Sequence, residues 1–336
     1  MTLKVLVTTS FPEELLEQIQ SISPEISLAY APLKSREVLP SGTLAETEVL
    51  YTWSAIPRPE DAPRLRWVQF HSAGIDHAKG HPILDCNIAL TTTSGVHAVP
   101  IAEYTMASIL AWAHRLPRML TYQKRGIWPG GRWNKFVPQE LFGATIGILG
   151  YGSIGRQVAR LAHAFGMHVL TTKRDPRRIV DEGYQLDGVG DPSGELPDRI
   201  YPAAATLSML PECDYVVVCA PLVAETYHLI DATALKAMKP TAYLVNVGRG
   251  KLIDEAALVD ALDKGWIAGA GLDVFEVEPL SADSPLWKHD NVILSPHVAG
   301  FTSSYDRRAI EVFGRNLRRY LDGRPLLNLV NREHGY

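Results

Sequence analysis

A chain of 336 residues is long enough for two domains, and its composition, 46% hydrophobic and 21% charged, suits a globular protein with a large core. A net charge of -4 excludes nucleic acid as the main partner, because phosphate binding needs a basic field. No apolar run is long enough to span a bilayer, and the opening residues meet Pro12-Glu13-Glu14 too soon to read as a signal peptide, so a cytoplasmic protein without membrane attachment is expected.

Residues 3–7 are predicted as a strand, 13–19 as a helix, and 49–53, 65–70 and 88–92 as further strands. Alternating strands and helices imply a parallel sheet covered on both faces. Pro100, suited to a first helical turn, opens a helix over residues 101–114; a second helical piece and the turn-rich tract 126–133 follow. At Ala144 a new series begins, with a strand over 145–149, a helix over 153–165 and a strand over 168–172. Residues 174–204, polar and rich in proline and glycine, read as a long surface excursion. Strands resume at 215–220, 241–247, 267–274 and 291–294, and an amphipathic helix over about residues 303–321 closes the chain. Cys86, Cys213 and Cys219 lack metal-ligand spacing, so reduced, buried thiols and no metal are expected.

The strand ending at Leu149 runs into Gly150-Tyr151-Gly152-Ser153-Ile154-Gly155, which opens a helix. The first glycine permits a tight turn, the second lets a pyrophosphate approach the backbone, and the third lets helix and strand pack closely. Strand, loop, helix and next strand in this order are the context a dinucleotide site requires. The next strand ends in Lys173-Arg174, where an NAD enzyme places an acid for the ribose hydroxyls. Two cations suit a 2′-phosphate, so NADP is the expected cofactor; NAD stays open, because Asp175 could serve as that acid in a shifted register.

Arg249, Glu278 and His297 each follow a predicted strand of this second series. If those strands are parallel, the three loops open on the edge that carries the glycine loop, where ligands of open α/β sheets bind. Reduction of a 2-keto acid needs hydride at carbon and a proton at oxygen. A histidine can give that proton, a carboxylate can orient the ring, and an arginine fork can grip the substrate carboxylate.

Together these motifs resemble the D-isomer-specific 2-hydroxyacid dehydrogenase family over nearly the whole chain. The matching stretches include Ser72-Ala-Gly-Ile-Asp76, Val99-Pro-Ile-Ala-Glu-Tyr-Thr105, Ala220-Pro-Leu222 with Thr226 and His228, Asn246-Val-Gly-Arg-Gly250, Gly271-Leu-Asp-Val-Phe-Glu276 and Pro296-His-Val-Ala-Gly300. The resemblance implies Arg249, Glu278 and His297 as the catalytic set, and the backbone amides of Ala73 and Gly74 as carboxylate ligands. Around the cofactor it implies Thr105, Ser153, Ile154, Lys173, Ala220, Pro221, Val247 and Asp273, the last near the nicotinamide amide. It also implies a homodimer joined through the cofactor domain.

The expected fold is thus α/β, two Rossmann-like or flavodoxin-like domains with parallel sheets, the cofactor domain inserted into the substrate domain. Residues 1–99 form the substrate domain, 100–297 the cofactor domain, and 298–336 a C-terminal helix returning to the first. The expected activity is reduction of a small 2-keto acid of the glyoxylate or hydroxypyruvate type. A dinucleotide-binding regulator of the same fold and a relative oxidising another small anion, such as phosphite, are the alternatives. Glu278 disfavours formate, since the family's formate dehydrogenases have glutamine there. Trp53 and the Phe70-His71 pair either line the substrate pocket beside Ser72-Ala73-Gly74 or belong to the core.

Overall fold

A computed structural model describes residues 2–33 and 41–332. By contact density the chain divides into two compact units, one of residues 1–97, 182–186 and 302–336, the other of 98–181 and 187–301.

The first unit holds a five-stranded sheet in the order β2-β1-β3-β4-β5. Its strands are β1 (Leu3–Val7), β2 (Ile26–Tyr30), β3 (Val49–Thr52), β4 (Trp67–Phe70) and β5 (Ala89–Thr91). Every pairing is parallel. Strand β2 was not legible beforehand: its burial pattern is mostly intermediate, so no clean apolar alternation marks this edge. The helix Tyr305–Leu321 belongs to this unit, burying Ile310, Phe313 and Leu317 with Val5, Ile19 and Trp67. Asn316 is fully buried on that helix; its Nδ2 donates to the Leu327 carbonyl at 3.1 Å, and its Oδ1 accepts from Leu327 N at 2.7 Å.

The second unit holds a seven-stranded sheet in the order β12-β11-β10-β9-β6-β7-β8. Its strands are β6 (Thr145–Leu149), β7 (His168–Lys173), β8 (Arg199–Pro202), β9 (Tyr215–Val218), β10 (Tyr243–Asn246), β11 (Gly269–Leu272) and β12 (Val292–Leu294). All six pairings are parallel, so every strand-ending loop opens on one edge. Strand order reverses between β6 and β9, the switch point at which ligands of such sheets bind. Glycines in β11 let the helix Ala98–Ala113 lie close on the sheet. A Cβ on Gly271 would stand 2.3 Å from Ser108 Oγ, and one on Gly269 would stand 2.9 Å from the Trp112 ring.

The excursion differs from the sequence reading. It contains the edge strand β8 and is anchored in both units. In the first, Tyr184 is 2% exposed and packs with Val96 and Val312, while its N–H donates to Asn328 Oδ1 at 3.0 Å. In the second, Arg156, 1% exposed, donates to the carbonyls of Asp191 and Ile179. The burial comes from isolated residues spaced through polar sequence, a pattern without period, so sequence inspection reads it as surface.

The cysteines are unpaired, with Cys213 buried and Cys86 and Cys219 half-buried rather than wholly enclosed. Burial pushes the Cys213 and Cys219 thiols up to about 12, which leaves them protonated and unreactive.

Of the aromatic residues before the Ser72-Ala73-Gly74 loop, Phe70 is core and Trp53 is half-exposed, its ring 5.0 Å from that of His71. His71 is buried, with Nδ1 2.7 Å from Tyr51 Oη. Burial, then the neighbouring His97, lower its pKa to about 4, although Asp306 Oδ1 lies 3.5 Å from Nε2. The unfolded chain therefore takes up the proton more readily than the folded one. The stabilisation from neutral His71 is complete above about pH 6.5 and is lost as pH falls toward 4, a difference on the order of 3 kcal/mol at most. The melting temperature should fall over this window, and His71→Asn should flatten the fall; parallel curves for both proteins would remove His71 as the cause.

Candidate active site

The glycine loop has the backbone that a pyrophosphate requires. Gly150 sits at φ 105°, and Gly152 caps the helix Ser153–Ala164. A Cβ on Gly150 would lie 2.8 Å from the Ala220 backbone, and one on Gly155 would lie 2.2 Å from the Gly150 carbonyl oxygen. A Cβ on Gly152 would meet nothing within 4 Å, so the open side of the turn lies there. Two glycines are thus demanded by packing, while the third keeps clear the approach to the free amides of a helix N-terminus. The residues present fit a bound dinucleotide.

Around this loop, Ser153 and Ile154 are half-buried, Ala220 and Val247 are buried, and Pro221 is exposed. Tyr151 is buried, and its Oη meets Asp191 Oδ2 at 2.5 Å, which ties the glycine loop to the excursion. Thr105 is fully buried, and its hydroxyl donates to the Ile101 carbonyl at 2.8 Å within its own helix. Strand β7 runs one residue further than expected, to Lys173. Lys173 is half-buried; burial first, and then the Arg156 guanidinium, hold its pKa below the ordinary lysine range. Arg174 is exposed. Asp175 folds back on its own turn, with Oδ1 accepting from Arg177 N at 3.0 Å and Oδ2 lying 3.9 Å from Arg178 Nε.

Parallel strands bring the next loops side by side. A Cβ on Gly248 would stand 3.2 Å from the Ala220 carbonyl oxygen, so the loops after β9 and β10 touch. One on Gly250 would stand 1.8 Å from the Phe275 carbonyl carbon, so the loops after β10 and β11 touch as well. Arg249 lies between these two glycines, half-buried, with Nη1 donating to the Gly248 carbonyl at 2.9 Å.

Glu278 and His297 meet directly. His297 Nδ1 lies 2.7 Å from Glu278 Oε2, and Glu278 Oε1 accepts from Phe275 N at 3.0 Å. An ionised carboxylate only accepts, so Nδ1 carries the proton toward Glu278 and Nε2 is left to exchange one elsewhere. His297 holds φ 55°, a left-handed backbone rare outside glycine. Asp273, 2% exposed, braces that loop: Oδ1 accepts from Val298 N at 2.9 Å and Oδ2 from Ala299 N at 2.9 Å.

Ala73 and Gly74 belong to the first unit, half-buried in a bend where Ser72 Oγ donates to the Gly74 carbonyl at 2.7 Å. Sequence reasoning passed over Tyr104 and Ser295, whose hydroxyls meet at 2.6 Å across 191 positions of chain. It also passed over the ion pair of His228 Nε2 with Glu276 Oε1 at 3.0 Å. No local signal could have joined either pair.

A doubly wound sheet with this glycine cradle, and a carboxylate–imidazole pair on the same edge, defines a dinucleotide-dependent α/β oxidoreductase. Residues 106–299 match the model of the D-isomer specific 2-hydroxyacid dehydrogenase, NAD binding domain. A glyoxylate reductase of Thermococcus gammatolerans is 38% identical over 278 residues, which cover 82% of this chain and 78% of that protein. Among solved structures, a D-isomer specific 2-hydroxyacid dehydrogenase of Xanthobacter autotrophicus Py2, in complex with NADPH and MES, aligns over 100% of both chains with a TM-score of 0.79 and 28% identity. An NADPH-dependent glyoxylate/hydroxypyruvate reductase of Sinorhizobium meliloti, in complex with NADP and sulfate, aligns over 100% of both chains with a TM-score of 0.76 and 26% identity. The chain belongs to the D-isomer specific 2-hydroxyacid dehydrogenase family and is an NAD(P)-binding oxidoreductase acting on the CH–OH group of 2-hydroxy acids.

The two kinds of glycine should separate under mutation. Gly152→Ala should leave the melting temperature within a degree or two, yet weaken NADPH binding at least tenfold, because its Cβ points into the open approach. Gly155→Ala should lower the melting temperature as well, since its Cβ meets backbone. Calorimetric titration with NADPH and thermal unfolding provide both readouts; unaltered NADPH affinity in Gly152→Ala would mean the dinucleotide lies elsewhere.

Proposed function

We propose that the protein is an NADP-preferring reductase of small 2-keto acids, glyoxylate and hydroxypyruvate foremost, yielding glycolate from the first and the D-2-hydroxy acid from the second. The observation that carries this is the 2.7 Å pairing of His297 with Glu278 on the carboxyl edge of a dinucleotide-binding sheet. The glyoxylate reductase and glyoxylate/hydroxypyruvate reductase relatives support the substrate class.

In this reading the bound nicotinamide supplies hydride to the keto carbon. His297, through Nε2, gives the proton to the keto oxygen, and Glu278 stabilises the imidazolium form and fixes the ring. Arg249 grips the substrate carboxylate with its planar fork and polarises the keto group. The first unit is the substrate domain and the second the cofactor domain. Ser153, Ile154, Ala220, Pro221 and Val247 flank the dinucleotide; Thr105 serves as packing beneath it, and Asp273 faces the nicotinamide end. Trp53, held against the buried His71, forms one wall for the substrate's side chain.

A homodimer through the cofactor domain is part of the proposal. The segment after the helix Ala98–Ala113 leaves Leu120, Trp128 and Trp133 53%, 84% and 77% exposed, an apolar surface suited to a second copy. Unpaired thiols suit a reducing, cytoplasmic compartment.

His297→Asn should lower kcat by about 10²–10⁴-fold while leaving NADPH affinity nearly intact. Glu278→Gln should lower kcat as well, because the imidazole ring loses the carboxylate that fixes it. Normal turnover of glyoxylate in His297→Asn or in Glu278→Gln would remove the pair from the mechanism.

Cofactor choice is tested by kcat/KM with NADPH against NADH. Lys173 and Arg174 stand at the end of β7, and Asp175 is turned toward Arg177 and Arg178. Each charge-assisted hydrogen bond to the 2′-phosphate contributes about 1.5–3 kcal/mol, so two favour NADPH by roughly a hundredfold or more before salt screening. Lys173→Asp with Arg174→Ala should reverse the preference. Equal values for the two cofactors in the native protein would show that another residue reads the ribose.

A further inference from the structure

The loop carrying His297 hangs from a half-buried hydrogen-bonded chain that starts on a distant helix. Asp273 directly follows β11 with its carboxylate enclosed. Besides the amides of Val298 and Ala299, it receives Ser295 Oγ on Oδ1 at 2.5 Å. A carboxylate cannot donate, so the single hydroxyl proton of Ser295 points at Asp273, and Ser295 Oγ can only accept from its other neighbour. That neighbour is Tyr104 Oη, 2.6 Å away on the helix Ala98–Ala113. The direction is therefore settled: Tyr104 donates to Ser295, and Ser295 donates to Asp273. Burial holds the Tyr104 phenol above its ordinary range, so it remains a donor at neutral pH. The chain closes on the backbone as well, since His297 N donates to the Asp273 carbonyl at 2.9 Å.

The residues between Ser295 and Ala299 are thus clamped at both ends, and His297 is held between them at φ 55°. Loosening one clamp lets the left-handed residue relax, and the imidazole swings with it. The glycines of β11 are part of this device, because side chains there would lift the helix that carries Tyr104 off the sheet.

We propose that Tyr104 is a positioning residue for His297, acting through Ser295 and Asp273. The inference rests on the reading of His297 as the proton donor. It concerns orientation rather than binding, so it separates kcat from KM.

With NADPH and glyoxylate, Tyr104→Phe should lower kcat about tenfold and leave both KM values within twofold. Ser295→Ala should do the same, and Tyr104→Phe added to Ser295→Ala should lower kcat no further, because the chain is already cut. Ser295→Thr, which keeps the hydroxyl, should restore most of the rate. Backbone amide exchange at Val298 and Ala299 should speed up severalfold in Tyr104→Phe, a readout independent of turnover. Unaltered kcat together with unaltered exchange in Tyr104→Phe overturns the proposal, as does full additivity of the two losses. Equal rises in KM and falls in melting temperature also overturn it, since they mark a merely structural role. Should His297→Asn turn over normally, the proton-donor reading fails, while faster exchange at Val298 and Ala299 still upholds the hydrogen-bonded chain.

Discussion

Seven strands of the second unit run in the same direction, and the site depends on that constraint. Parallel strands cannot be joined by tight turns, so each connection crosses a face and each strand delivers its end to one edge. The loops after β6, β9, β10, β11 and β12 consequently form a continuous rim. Their contacts are close enough that glycine is demanded at Gly150 and Gly250, where a Cβ would strike the backbone of a neighbouring loop. The rim's shape is therefore a packing property as much as a chemical one.

Buried charge is the second organising element. An enclosed carboxylate is costly unless its lone pairs are met, and a met carboxylate becomes a rigid junction. Asp273 joins β11 to the loop after β12 in this way, and Asp191 does the same for the excursion. Asp191 accepts from Gly194 N, Glu195 N and Leu196 N at 3.0–3.1 Å and from Tyr151 Oη, which belongs to the glycine loop. The Tyr151 contact and the backbone amides lower its pKa against the opposing effect of its own burial. Both acids use their charge to order backbone near the cofactor loop.

The excursion shows how a segment without periodicity can still be structured. Arg156 enters it from the helix after the glycine loop and binds main-chain carbonyls instead of solvent, a use suited to the planar donor fork of arginine. Residues 182–186 join the first unit before the chain returns to the second. The pathway is specified by single buried groups: Tyr184 packs with Val96 and Val312, Arg156 donates to the Asp191 and Ile179 carbonyls, and Asp191 accepts from Tyr151.

Much of the fold was legible because it rests on local periodicity and on turn chemistry. Strands β1 and β6 are short, mostly apolar runs, β7 follows in the strand–loop–helix–strand order, and the glycine loop carries its own geometric reason at each position. The candidate acid, base partner and arginine could be named because each follows a strand, and parallel strands share an edge. The two strands that escaped detection, β2 and β8, lie at sheet edges where one flank faces solvent and the apolar pattern fades. Tertiary structure alone decided which groups meet. The Tyr104–Ser295–Asp273 chain and the anchoring of Tyr184 and Arg156 both join positions far apart in the chain. Linear sequence records residue type and spacing, whereas hydrogen-bond partners across such separations are set by how helices and loops settle on the finished sheet.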